Sequence, residues 1–213
     1  MTIVSAKVFL LGSDLSQRKY TEWMLQQLQK VNSQIEVLVA DFENGKLSNL
    51  PAKTFVVQNA DSVHGWFKKP FAIDQAHALG YTEVCWLDND LEIIENIDSI
   101  FEYSVLDKLG LAPDGYAIKR CPQTVWNSGV VLSHSRPAVL TDWMQRCLHQ
   151  RDRGDQEALA AIADSNQKLR NQIFDLPVVF NWLRLMGEPK QSVKIRHWTG
   201  PAGKRHIREN LWK

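Results

Sequence analysis

The run Val84-Cys85-Trp86-Leu87 follows the turn signal Leu79-Gly80-Tyr81 and stops on Asp88-Asn89-Asp90. A short apolar run with these borders reads as a buried strand that ends at a charged edge. In extended backbone, residues two apart point the same way, so Asp88 and Asp90 can offer both carboxylates to one point while Asn89 faces elsewhere. That geometry suits a divalent cation. An Asp-Asn-Asp turn held by local side-chain hydrogen bonds accounts for the same residues equally well.

The segments around this strand alternate between short apolar runs and helical spacing. Val4 to Leu11 reads as a first strand, followed by Gly12-Ser13-Asp14 and then a helix with Tyr20, Trp23, Met24, Leu28 and Val31 on one face. A strand at Ile35 to Ala40 completes a strand-helix-strand unit. Gly12 and Ser13 then stand at the carboxyl end of the first strand, either as a capped turn or as a place for a nucleotide. A further strand is predicted at Thr54 to Val57. The next helix carries Pro70 in its first turn and ends at Gly80. Lys68 and Lys69 fall at the end of this helix that disfavours cations, a placement suited to an anionic ligand or, for Lys68 above all, to open solvent. Asp98 is expected to cap a short helix through Tyr103, and Tyr116 to Lys119 to form a short strand. Val125 to Leu132 reads as a strand whose Gly129 marks a close approach or a bulge. Pro137 opens a helix through Leu148. Asp155 precedes another helix, where it serves as an N-cap or as something more. Ile173 to Leu176 and Val193 to Trp198 are the last predicted strands.

With 213 residues, 44% hydrophobic and 23% charged, the chain suits one well-buried domain. No apolar stretch is long enough to span a bilayer, and the predicted location is the cytoplasm. Cys85, Cys121 and Cys147 are odd in number and widely spaced, which argues for apolar filler rather than disulfides or a structural zinc. The net charge of +1 conceals an uneven distribution: from Lys190 onward seven basic residues face the single acid Glu209. Such an end is a solvated tail or the cover of a phosphate site. Nucleic acid ranks low as a partner and none is expected, because the rest of the chain is acidic and carries no nucleic-acid motif.

Five segments occur in an informative order: Leu87-Asp88-Asn89-Asp90 with Asn96-Ile97-Asp98-Ser99-Ile100-Phe101, Trp126-Asn127-Ser128-Gly129, Asp155-Gln156-Glu157, Leu176-Pro177-Val178-Val179-Phe180-Asn181, and His197-Trp198-Thr199-Gly200 with Lys204. The series resembles that of nucleotide-sugar glycosyltransferases of the GT-A fold, nearest to family 8, the glycogenin-like and bacterial galactosyltransferase group. The likeness covers residues 66 to 204 well and residues 3 to 40 weakly. Glu157 stands where the family has a second Asp, Arg205-His206 replaces its Pro-Trp, and one extra residue separates Gly200 from Lys204.

The resemblance implies an α/β fold: a GT-A, Rossmann-like single domain over residues 1–213, with a mixed, mainly parallel central sheet flanked by helices. It implies transfer of a hexose from a nucleoside-diphosphate sugar, UDP-sugar first, to a sugar, lipid or protein acceptor, with retention of anomeric configuration. Mn2+ or Mg2+ would be held by Asp88, Asp90 and His197. The donor would meet Gly12, Ser13, Lys69, Asp88, Asn89, Asn127, Ser128, Gly200 and Lys204, with Asp155 and Gln156 beside the anomeric carbon. A binding-only protein of the same fold is the main rival. A haloacid-dehalogenase-like phosphatase fits poorly, because Glu92 stands where that group needs Thr or Val.

Overall fold

The computed structural model describes residues 6–47, 49–60, 62–117, 119 and 125–212. Cys121, Lys213 and the first residues of the opening run lie outside them. At the centre, β1 (Lys7–Ser13) runs parallel to β2 (Glu36–Asp41) on one side and to β4 (Glu83–Leu87) on the other, with β3 (Lys53–Val56) at the edge beyond β2. Past β4 come β7 (Trp126–His134), β6 (Lys108–Pro113) and β8 (Ile173–Asp175). The order is β3-β2-β1-β4-β7-β6-β8, and only β7 opposes the common direction.

The alternation of side chains along a strand divides the core into two layers. Val8, Leu10, Val84 and Trp86 point to one face, packed under residues of α2 (Lys69–Ala78), α3 (Ala138–His149) and α4 (Asp155–Ser165). Phe9, Leu11, Cys85 and Leu87 point to the other, against α1 (Arg18–Lys30) and the C-terminal segment. Covered on both faces, β1 and β4 are therefore apolar almost throughout. The four-residue α5 (Gln167–Arg170) is capped by the Asn166 side chain.

A second sheet has three strands. In it β10 (Ile195–His197) lies between β5 (Leu91–Ile93), which it opposes, and β9 (Trp182–Leu183), which it parallels. The chain then closes with α6 (Gly200–His206) and a π-helical turn at Ile207–Leu211. A Cβ at Gly203 would fall 1.7 Å from the Trp198 carbonyl oxygen, so only glycine lets α6 fold back on β10. No helix of the described residues is long and apolar enough to cross a membrane.

Three local expectations need correction. Gly115 to Ala117 form a turn instead of starting a strand; Asp114 Oδ1 accepts the backbone N–H of Tyr116 (3.1 Å) and Ala117 (2.7 Å). The strand lies earlier, as β6, where Gly110 weakens the local signal: the Phe174 ring occupies the space its Cβ would need. Asp98 does not cap its helix, which is a 3-10 segment; its carboxylate accepts from Ser33 Oγ (2.7 Å) and the Gln34 amide (2.9 Å), fastening the loop before β2. Asp155 is likewise no N-cap. Gly154 holds that position, and no side chain caps the helix.

Candidate active site

The carboxyl ends of β1 and β4 and the start of β7 open into a cleft of about 1060 Å³. Its walls include every residue proposed from sequence: Gly12, Ser13, Lys69, Asp88, Asn89, Asp90, Asn127, Ser128, Asp155, Gln156, His197, Gly200 and Lys204.

The two acids after β4 are oriented by different neighbours. Asp88 Oδ1 accepts from the Trp86 indole N–H at 2.7 Å and lies 3.1 Å from Lys69 Nζ. Asp90 Oδ1 lies 3.1 Å from His197 Nε2, because β10 pairs with β5 and delivers His197 opposite Leu91. Asp88, Asp90 and His197 each offer one ligand atom, and these atoms lie within 4.8 Å of one another. Two carboxylates and an imidazole form a donor set that fits a divalent ion of the Mn2+ or Mg2+ class.

Lys69 is buried behind these acids. Its ammonium sits 2.9 Å from Asp155 Oδ2, donates to the Ser128 carbonyl at 2.7 Å and reaches Ser128 Oγ at 3.2 Å. The sequence placed this cation beside an anionic ligand; in the fold its anions are two carboxylates of the protein itself. Burial alone would lower the lysine pKa, but Asp155 and Asp88 outweigh it and hold the pKa above the ordinary range. Loss of water raises the Asp88 carboxyl, and Asp90 adds to the rise while Lys69 opposes it. For Asp90 burial pushes upward, yet the His197 charge and hydrogen bond, with help from Lys204, bring it below the usual carboxylate value.

Other proposed donor contacts are tied into the frame. Asn89 Nδ2 donates to the Gly12 carbonyl (2.7 Å) and Thr21 Oγ1 (3.1 Å), and Thr21 Oγ1 donates to Ser13 Oγ (2.8 Å). A Cβ on Gly12 would approach the rings of Trp86 and Phe42 to 2.3 and 2.5 Å. Gln156 Oε1 accepts from Asn127 Nδ2 (3.0 Å) and the Ser128 amide (3.3 Å), which turns that oxygen toward β7. Lys204 stands at the opposite wall, over the Tyr20 ring and 3.5 Å from Gln17 Oε1.

Five participants escaped the sequence reading of the site. Trp86 looked like core, and its indole N–H is invisible to an apolar pattern. Asp114 read as a turn residue, and one oxygen does serve the turn while the other faces Asn127 and Gln156. Asn181 belonged to a quoted motif without a role. Arg205 and Arg208, counted in the basic C-terminal segment but given no place in the site, join Lys204 on the cleft wall.

No family profile and no curated protein sequence matches the chain. Solved structures do. A galactosyltransferase, LgtC, determined with donor and acceptor sugar analogs, superimposes with a TM-score of 0.57 at 13% identity, over 92% of this chain and 88% of that one. The glycosyltransferase GlyE of Streptococcus pneumoniae gives 0.61 at 15% identity, over 92% of this chain, which spans 55% of its length. Mouse xyloside xylosyltransferase 1 gives 0.58 at 15% identity, over 91% of this chain and 96% of that one. The chain has the GT-A fold. In the GT-A fold seen here, the large sheet carries the cleft and the small sheet brings His197 to the acids after β4.

Proposed function

We propose that the chain, acting as one domain over residues 1–213, is a metal-dependent glycosyltransferase. It would move a hexose from a nucleoside-diphosphate sugar, UDP-sugar first, to an acceptor with retention of configuration. The observation that carries this reading is the convergence of Asp88, Asp90 and His197, from separate segments, within 4.8 Å on the wall of a cleft large enough for a nucleotide sugar.

A bound divalent cation would supply Lewis-acid stabilisation of the diphosphate as it departs. The protein would do the rest. Trp86 and Lys69 hold one oxygen of Asp88 and so present the other to a ligand. Lys204, Arg205 and Arg208 surround the other wall with positive charge, where a leaving diphosphate gains negative charge. With the Gln156 oxygen engaged at β7, Asp155 is the better source of a carboxylate oxygen beside the oxocarbenium-like sugar. Lys69 Nζ, 2.9 Å from Asp155 Oδ2, fixes the position of that carboxylate at the floor of the cleft.

The test is release of UDP from a panel of UDP-sugars by purified protein, with and without Mn2+. The expected result is release that depends on the metal for at least one donor. Asp90→Ala should weaken Mn2+-dependent UDP binding by at least about 100-fold, since removing a partner behind a metal ligand already costs up to that much. Equal affinity by calorimetry would overturn the metal assignment. Tight binding of a donor with no release would replace transfer by binding alone.

A further inference from the structure

A chain of buried amides runs from the floor of the cleft to His197, and its polarity is set at both ends. At one end the Gly129 backbone N–H, which can only donate, points at Asn127 Oδ1 from 2.9 Å. At the other, the Asp114 carboxylate, which accepts when ionised, receives Asn127 Nδ2 at 3.4 Å and Gln156 Nε2 at 3.3 Å. Both constraints fix the same orientation of the Asn127 amide: oxygen toward Gly129, nitrogen toward Asp114 and Gln156.

Asn181 then has no choice. Asn127 Oδ1 also faces the Asn181 side chain at 2.9 Å, so Asn181 must present its NH2 there and its oxygen to the other side. That oxygen lies 3.0 Å from His197 Nδ1. An amide oxygen only accepts, so Nδ1 must carry a proton. The ring cannot rotate away, since it lies against Gly129: a Cβ there would stand 2.3 Å from His197 Cε1 and 2.6 Å from Nδ1. Asn181 is 1% exposed, Asn127 8% and His197 3%, so water has little access with which to substitute for any link.

We propose that Asn181 is a positioning residue that accepts the Nδ1 proton of His197 and thereby holds the ring with Nε2 directed at the cation site beside Asp90, with Asn127 and Gly129 fixing Asn181 in turn. This rests on the metal reading above and adds to it: Asn127 works behind the imidazole rather than on the donor. Orientation of a ligating histidine through its second nitrogen commonly contributes 10- to 100-fold to metal affinity.

The experiment uses 15N-labelled protein loaded with Mg2+, which is diamagnetic, together with Mn2+ titration of the metal-free protein by calorimetry. In the loaded wild type, long-range 15N–1H correlations should show His197 protonated at Nδ1. Asn181→Leu removes the acceptor at similar volume and should reduce Mn2+ affinity by about 10- to 100-fold. Circular dichroism melts confirm that the variant is folded. A loaded wild type without a proton on Nδ1, or a folded leucine variant that binds Mn2+ as tightly as the wild type, would overturn the assignment. Donor turnover is not read at all: absence of transfer with every UDP-sugar would defeat the glycosyltransferase reading and leave this one standing.

Discussion

The two sheets share the site and differ in how they support it. The seven-stranded sheet presents Asp88 from the end of a fully covered strand, with an indole N–H and a buried ammonium on one of its oxygens. The three-stranded sheet presents Asp90 from just before one three-residue strand and His197 from the end of another, and their alignment depends on pairing between segments about a hundred residues apart. The central strands of the large sheet are covered on both faces. The small sheet packs Leu91, Ile93 and Ile195 into the layer that holds Phe9 and Leu11, and its polar ends are aligned by a few specific contacts and by close approach at Gly203.

Removing Lys69 should break the first side most severely. Lys69→Ala leaves Asp88 and Asp155 without their buried counter-ion, and a loss of about 3–5 kcal/mol in stability is expected from denaturant unfolding. A loss below about 1 kcal/mol would show that the two carboxylates are well hydrated. Trp86→Phe should act more narrowly: it removes the N–H on Asp88 Oδ1 and should lower Mn2+ affinity about tenfold, read by calorimetry on folded protein. The smallest effect is expected in the small sheet. Trp198 donates to Glu92 Oε2 at 2.9 Å and stacks on His206, so Trp198→Phe should cost about 1 kcal/mol, measured by the same unfolding experiment. A cost as large as that of Lys69→Ala would mean that the polar contacts of the small sheet matter as much as the buried ion pairs of the large one, and the contrast between the two sides would disappear.

The central strands were legible because each buried face leaves its mark along the chain: Val84 to Leu87 is apolar at every position and is covered on both sides. The acids after it were legible as candidates for the same reason, since charge at the end of such a strand has to meet something. β6 was not legible. Gly110 there answers to the Phe174 ring, a partner more than sixty residues away, and local propensity carries no trace of it. Of the three short strands of the second sheet, β10 was legible as the extended segment Val193 to Trp198, without a partner.

Roles within the site divide in the same way. Sequence alone placed two carboxylates two residues apart, a histidine late in the chain and a basic C-terminal segment. Tertiary structure decided that Lys69 faces Asp88 and Asp155, that Asp155 is not a helix cap, and that Asn181 stands behind His197. The reason is physical: apolar periodicity reports burial, which acts on each segment separately. A hydrogen bond or an ion pair exists only once two distant segments have been brought within about 3 Å of each other.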